Sequence, residues 1–308
     1  MVIRRRALAL ASAAFLLFVS TASNSAAQGR QLTKDEEREA KAATSALANA
    51  FAGKPVTNDL GLTWLRSDPM QAQGDKNIMA FALSLDPSKA PSGKVFMIWR
   101  VLPSGADPKD KKVQPIFESF STATLEGQTP FIGRLFLAPA GKVDVLVAAH
   151  ELTEGKSTKA PVSVIRQTVE VPSLTGGDFM LSNLYIFRSR KYDAPLADVM
   201  EHPYGTPEEE NLPLASPTLA KTEPLRINGM LFNAKGRVAV EYAAYKDGVA
   251  EPFKRWAAAE IDPARQGIPD RVPLTDFEPG KYRLEIKVTD KGSDKTITQS
   301  LPFTVSGS

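Results

Sequence analysis

Residues 278–286 read EPGKYRLEI, and this stretch carries the pattern that decides the fold. Its Pro-Gly pair favours a turn, and the residues that follow alternate between apolar and charged side chains, which is typical of a β-strand with one buried face. Residues 139–147, PAGKVDVLV, repeat the turn and the strand, but here the alternate positions Leu146 and Ala148 are apolar. We therefore expect the earlier strand to be covered on both faces, by a neighbour in the chain or by a partner.

Short β-rich runs separated by Gly, Pro, Asp and Ser fill most of the chain from residue 60 onward. Because no helical pattern separates them, they favour antiparallel sandwiches over a parallel sheet. The first block is predicted to hold strands at 60–65, 78–85, 94–102, 117–124, 131–137, 142–149, 162–171 and 181–187. The second is predicted to hold strands at 225–232, 237–245, 253–261, 271–274, 281–289 and 296–305.

A short helix is predicted before the first strand. Thr33 and Glu36 have the spacing of a capping box, in which each side chain satisfies a backbone N–H of the other residue. The pattern predicts a helix over 34–51, ending before Gly53 and Pro55. Its apolar face is rich in Ala, so we expect a leader helix that packs weakly unless it docks on a partner or a domain.

The N-terminus has the layout of a secretory signal peptide. Three arginines at positions 4–6 precede an uncharged, mostly apolar run over 7–19, which is too short for a membrane span, and small residues lead to Gln28. We expect cleavage after Ala27 and export to the periplasm or the extracellular medium; an uncleaved membrane anchor is the alternative. Removing the three arginines from the 38 Lys and Arg leaves 35, equal to the 35 Asp and Glu, so the exported chain is formally neutral.

The whole chain is thus predicted to be mainly β, with two tandem immunoglobulin-like antiparallel β-sandwich domains preceded by a short N-terminal helix. The predicted segments are a signal peptide at 1–27, a helical leader at 28–54, a first sandwich at 55–189, a Pro- and Glu-rich linker at 190–211 and a second sandwich at 212–308.

Composition argues against several classes of partner and cofactor. The chain has no cysteine, which excludes disulfides, thiolate metal sites and a cysteine nucleophile. Its neutral charge after cleavage and its lack of a dense basic run argue against a nucleic-acid partner, and nothing after the signal predicts stable membrane insertion. We expect no cofactor.

The closing stretch 272–284, VPLTDFEPGKYRL, together with Val288-Thr289-Asp290 and the final Pro302-Phe303-Thr304-Val305, resembles a β-sandwich module of exported bacterial proteins. It is similar to the C-terminal region of von Willebrand factor A-related proteins and of Gly-Trp-x-Thr-Asp domain proteins. The first block is similar to the preceding region of the same proteins. Neither the Asp-x-Ser-x-Ser metal motif nor a Gly-Trp-x-Thr-Asp sequence is present, so the resemblance implies accessory sandwiches without the A domain and its metal-dependent adhesion.

No local motif for catalysis is present, and we expect a protein that is not an enzyme. The two histidines, His150 and His202, lie outside any metal or catalytic pattern. His150 and Glu151 are adjacent on a predicted strand and should point to opposite faces, so they are not expected to hold one metal together. A pair of catalytic carboxylates leaves no local signature, so a hydrolase with such a pair remains an alternative.

The favoured function is a non-enzymatic module that binds another envelope or secreted protein through sandwich edges and loops. Leu146, Ala148 and Trp256 are the predicted partner surface. Trp256 is the best surface candidate among the three tryptophans, with Phe253 and Arg255 expected on the opposite face of its strand. A carbohydrate-binding module is an alternative, and it requires exposed coplanar aromatic rings.

Overall fold

The computed structural model describes residues 33–307, except 91–92, 111, 126–130, 153–160, 193–198, 207, 263, 265–266 and 270. The predicted signal peptide and its cleavage site lie outside the described residues. The chain forms two compact units. The described parts of the first lie within Met1–Ser67, Gln71–Pro172 and Ala194–Glu208, and those of the second within Asp68–Met70, Ser173–Asp193 and Glu209–Ser308.

The predicted helix is confirmed as α1, Lys34–Phe51. Thr33 and Glu36 form the predicted capping box: the Glu36 N–H donates to Thr33 Oγ1 over 3.2 Å, and the Thr33 N–H donates to Glu36 Oε2 over 2.9 Å. Within the described residues, no helix is long and apolar enough to span a bilayer.

Seven strands of the first unit form two sheets that pack face to face. Their bounds are β1 (Thr63–Gln73), β2 (Lys76–Ser84), β3 (Lys94–Pro103), β4 (Phe117–Thr124), β5 (Phe131–Pro139), β6 (Gly141–Glu151) and β7 (Val162–Val171). One sheet has the order β1-β2-β5 and the other β4-β3-β6-β7. This is an immunoglobulin-like arrangement, with the fourth strand in the sheet of the third.

A hydrophobic core lies between these two sheets, and alternate residues of each strand enter it. Trp99 and Val145 point into this core, whereas their neighbours Ile98 and Leu146 point to the outer face of the four-stranded sheet. The outer face of β3 and β6 is covered by α1, which explains why both strands have nearly continuous apolar sequences.

The second unit is also a sandwich, and its described residues form twelve strands of very different length. They are β8 (Met180–Leu181), β9 (Tyr185–Lys191), β10 (Glu209–Pro213), β11 (Thr218–Leu219), β12 (Leu225–Asn228), β13 (Leu231–Phe232), β14 (Val238–Lys246), β15 (Lys254–Arg255), β16 (Ala259–Ile261), β17 (Arg271–Val272), β18 (Gly280–Asp290) and β19 (Lys295–Val305).

One sheet of this unit has the order β10-β9-β12-β17, and the other has the order β11-β19-β18-β14-β15, with β16 also paired to β14. Strands β8 and β13 form a separate pair. The alternation predicted after the Pro279-Gly280 turn is confirmed on β18. Tyr282, Leu284 and Ile286 lie in the core, and the residues between them face outward.

The structure differs from the predicted linker over 190–211. Residues Glu209–Pro213 form β10, which pairs antiparallel with β9, so the stretch contains a strand pair of the second unit. The pairing carries polar contacts, including Arg190 to Glu210 at 2.9 Å and Ser189 to Asn211 at 2.8 Å. These polar positions lack the apolar alternation by which strands are recognised in sequence, which is why the pattern indicated a linker.

The boundary between the units falls at Pro172, earlier in the chain than the predicted boundary. The strand predicted at 181–187 therefore belongs to the second unit, as part of β8 and β9. Within the first unit, the segment around Pro203 packs closely on β5, since a Cβ added to Gly133 would lie 2.4 Å from the Pro203 ring.

Candidate functional site

An aromatic surface lies at the β15 edge of the second unit. Phe253 is 45% exposed and Val249 is 49% exposed. Trp256 is partly buried against the core of the same unit. We call Phe253, Lys254 and Trp256 the aromatic surface.

A fully buried ring supports this surface from below. The Phe277 centroid lies 5.1 Å from that of Phe253, in an edge-to-face arrangement, and 6.3 Å from that of Trp256, with the planes 17° apart. Phe277 also packs edge-to-face on Tyr282 at 4.9 Å. The exposed rings are therefore held by the core, so their positions do not depend on a mobile side chain.

A lysine adds a positive charge to the aromatic surface. The Lys254 Nζ lies 5.4 Å from the centroid of the Trp256 ring, within the range of a cation–π contact. Lys254 also forms an ion pair with Asp276, and the hydrogen bond from Lys254, followed by its charge, lowers the pKa of Asp276. The surface thus combines two aromatic rings with an oriented ammonium group.

The predicted face assignment around Trp256 is wrong. Phe253 was expected on the face opposite to Trp256, but both rings contact Phe277. The reason is that the predicted strand 253–261 is broken: between the β15 and β16 pairings, the edge chain has three residues where β14 has two. One extra residue is a β-bulge, which changes the direction of the side chains next to it.

Leu146 and Ala148 do not form a partner surface. Both are fully buried, packed under α1 with Leu47 and Ala43 of the helix. Of the two alternatives for the apolar outer face of β6, the covering neighbour in the chain is the one observed. The Ala-rich face of α1 permits this, because small side chains let the helix backbone approach a sheet closely.

His150 contributes to the same helix–sheet contact. Its Nδ1 lies 2.6 Å from Glu39 Oε2 of α1, and both side chains are buried. The Arg38 guanidinium lies 2.8 Å from the other oxygen of Glu39, and Thr122 donates to Glu36 over 2.9 Å. These contacts place the histidine in a polar pair that joins α1 to β6, a role that no spacing in the sequence indicates, because the partners are far apart in the chain.

His202 lies in a turn, as its Pro- and Gly-containing surroundings predict. The His202 N–H donates to the Val199 carbonyl over 3.2 Å, and the Gly205 N–H donates to the His202 carbonyl over 3.1 Å. Across the described residues, no group of three or more His, Asp or Glu side chains is arranged to hold a metal ion.

Two other buried carboxylates are engaged in the fold. Burial opposes ionisation of Asp144, but hydrogen bonds from Thr168 at 2.6 Å and Arg166 at 2.7 Å outweigh it and lower the pKa of Asp144. Burial likewise opposes ionisation of Asp290, and four donors outweigh it, so the pKa of Asp290 is also lowered. Because both acids are engaged by structural partners, we do not assign either to a catalytic carboxylate pair. Such a pair stays a prediction.

The rings of the aromatic surface do not form a flat platform for a sugar. The plane of the Phe253 ring is inclined to that of Phe277 by 61°, and the plane of the Trp256 ring is inclined to that of Phe277 by 17°. The Phe253 and Trp256 planes are therefore inclined to each other by at least the difference between these two angles. Trp256 is nearly parallel only to Phe277, which is fully buried. The geometry therefore suits a shaped protein contact better than stacking on a pyranose ring.

The fold and this surface define the chain as a mainly β protein made of sandwiches. No protein-family model and no curated protein matches the sequence. Among solved structures, the chain is similar to Escherichia coli alpha-2-macroglobulin activated by porcine elastase, at 8% identity and a TM-score of 0.23. That match covers 82% of this chain and 35% of the other, so this chain spans about a third of the length of that protein.

Proposed function

We propose that the chain is an exported, non-enzymatic module that binds another envelope or secreted protein, and that the aromatic surface is the contact. The observation that carries the proposal is the exposure of Phe253 on a buried aromatic base, beside Trp256 and Lys254. Aromatic side chains are enriched where proteins bind proteins, and held rings lose little entropy on binding.

The export step of the proposal is supported by the signal-like N-terminus. The resemblance to sandwich modules of exported bacterial proteins agrees with this proposal.

The test is a crosslinking capture of the tagged full-length chain in cells of its source, with mass spectrometry of the retained proteins. We compare wild type with Phe253→Ser and Trp256→Ala. A protein retained by wild type and reduced at least about tenfold by either variant supports the proposal, since a buried aromatic anchor is worth roughly 2 kcal/mol or more.

The matched control is Val56→Ser, because Val56 is 40% exposed in the other unit and lies outside the aromatic surface. It should retain the same protein at the wild-type level. Equal capture by wild type and both aromatic variants would refute the assignment of this surface, and capture of nothing above background would refute the binding function.

A further inference from the structure

We propose that two copies of this chain pair through the open edge of β19, forming one continuous antiparallel sheet. The inference is independent of the aromatic surface, which lies at the opposite edge of the same sheet. The neighbouring strand β11 is short and pairs with β19 only at Thr304 and Val305. Along the rest of β19, the described residues provide no further strand on that side.

The register of β19 determines which backbone groups face outward. The N–H groups of Thr304 and Ser306 donate to Pro217 and Leu219, on the side away from β18. Pairing with β18 is continuous over the whole strand, with no bulge, so the direction alternates strictly along it. The N–H and C=O groups of Thr296, Thr298 and Ser300 therefore point to the open edge, and all three residues are exposed.

The middle of this edge, residues 296–301, lacks the charged and proline residues that usually prevent strands from pairing. Residues 296–301 read TITQSL and carry no charge. Lys295, just before them, is held by Asp178 at 2.9 Å, and Pro302, just after them, removes one outward N–H. The edge at β15, by contrast, consists of Lys254 and Arg255. Charged and proline residues protect edges against pairing, so the protection on β19 is confined to the two ends of the stretch.

The sequence of the edge is complementary to itself. Ile297 and Leu301 are each two residues from Gln299, and both are only partly buried at the margin of the core. An antiparallel two-fold axis through Gln299 therefore places Ile297 of each copy beside Leu301 of the other, which removes both from water. The same axis sets Thr298 opposite Ser300 of the second copy, where the two residues exchange both of their backbone hydrogen bonds.

The edge is held in place before any partner arrives. The Gln299 side chain accepts from the Leu184 N–H over 3.0 Å and donates to the Ser182 carbonyl over 3.0 Å. Thr289 and Thr296 also share a hydrogen bond of 2.9 Å between their hydroxyls. A fixed strand loses little conformational entropy on pairing, which favours association through this edge over association through a loop.

The first test is sedimentation of the full-length chain, purified in the form that cells produce, over a range of concentrations. Wild type should form dimers, and Thr298→Pro should weaken dimerisation at least about tenfold, because it deletes an outward donor on each copy. Thr298→Val keeps the N–H and should dimerise as wild type does. The outward position tolerates proline at Pro302, and thermal unfolding of each variant verifies that the fold is intact.

The second test uses the absence of cysteine from the chain. Differently tagged Thr298→Cys and Ser300→Cys proteins are mixed and oxidised, and a disulfide should form between unlike chains, because the proposed pairing brings these Cα atoms to about 5.5 Å. Thr289→Cys, on the same face one strand further in, should not crosslink. A monomer at all concentrations, dimers unaffected by Thr298→Pro, or equal crosslinking by Thr289→Cys would each overturn the proposal.

Discussion

Asp290 is the residue on which two loops of the second unit depend. Its carboxylate is fully buried and accepts hydrogen bonds from the N–H groups of Lys235, Gly236 and Gly292 and from the Ser293 hydroxyl. The donors come from the segment before β14 and from the hairpin between β18 and β19. One side chain therefore ties both segments together.

Replacing Asp290 with Ala should destabilise the protein by about 2–3 kcal/mol, because four donors lose their charged acceptor. The measurement is urea-induced unfolding followed by circular dichroism. Ser293→Ala removes a single donor and should cost about 1 kcal/mol, which provides a graded control. An Asp290→Ala protein as stable as wild type would contradict the role assigned to this carboxylate.

The same carboxylates predict how stability changes with pH. Because the folded-state pKa values of Asp144 and Asp290 are lowered, their stabilising contribution is complete above the unfolded-state pKa of about 3.9. It is lost as the pH falls through the lower folded-state values. The free energy of unfolding should therefore fall steeply below about pH 4.

In Asp290→Asn, the free energy of unfolding should fall less steeply below about pH 4, since the amide does not titrate. Asp294→Asn is the control, because Asp294 is an exposed neighbour with φ of 55° that Asn also adopts. If the free energy of unfolding of Asp290→Asn falls as steeply with acid as that of wild type, other groups control acid unfolding.

Gly292 occupies a position where no side chain fits. A Cβ added there would lie 2.4 Å from the carbonyl carbon of Lys235 and 2.5 Å from the nitrogen of Gly236. Because both contacts are with backbone, Gly292→Ala should cost at least about 2 kcal/mol in unfolding free energy, by displacing the loops. Gly267→Ala, where nothing lies within 4 Å, should change it by less than about 1 kcal/mol. Thermal unfolding of both variants would separate them, and equal effects would contradict the close approach.

At the scale of elements, α1 docks on the outer face of β3 and β6 and so buries two of the three residues predicted to form the partner surface. It covers Leu146 and Ala148, and it joins Glu39 to His150 in a buried contact. The pair lies at the N-terminal half of the helix, whereas Leu47 and Ala50 provide the apolar contact at the other end.

Glu39→Ala should loosen this helix, because His150 loses its buried partner at a cost of about 2 kcal/mol. Amide hydrogen exchange of residues 34–51 should become faster, while exchange in the second unit should stay unchanged. Glu37→Ala is the matched control, since Glu37 is an exposed glutamate on the same turn. Equal protection of the helix in wild type and Glu39→Ala would show that apolar packing alone holds it.

Most of the strands could be predicted from the sequence because their alternation is strong. Strands β3, β4 and β7 begin at the residues expected, and the capping box of α1 is confirmed atom by atom. Strand β10 was missed because its pairing with β9 is polar, and β11 because two residues give no period. Two features of the site could not be predicted: the bulge beside Trp256 and the pairing of His150 with Glu39. Both depend on contacts between residues that are distant in the sequence, and a local pattern carries no information about such contacts.

At the scale of the whole molecule, the proposed export predicts a defined N-terminus. If the signal peptide is cleaved after Ala27, the exported protein begins at Gln28. N-terminal peptide mass spectrometry of the periplasmic and extracellular fractions should identify this terminus. Replacing Ala27 with Pro should block cleavage and retain the longer chain with the membrane fraction, whereas Ala26→Ser should be processed normally. An intact Met1 terminus in soluble wild-type protein would refute the export assignment.

The helix on the outer face also has a consequence for the order in which the chain becomes structured. Ribosomes complete α1 about a hundred residues before they reach His150 and the rest of its docking site on β6. Until both β3 and β6 have been made and paired, the docking face of the helix is incomplete. Because the face that it later buries consists largely of methyl groups from alanine, with Leu47 and Phe51 as the large exceptions, the nascent segment exposes little apolar surface to chaperones and neighbouring chains.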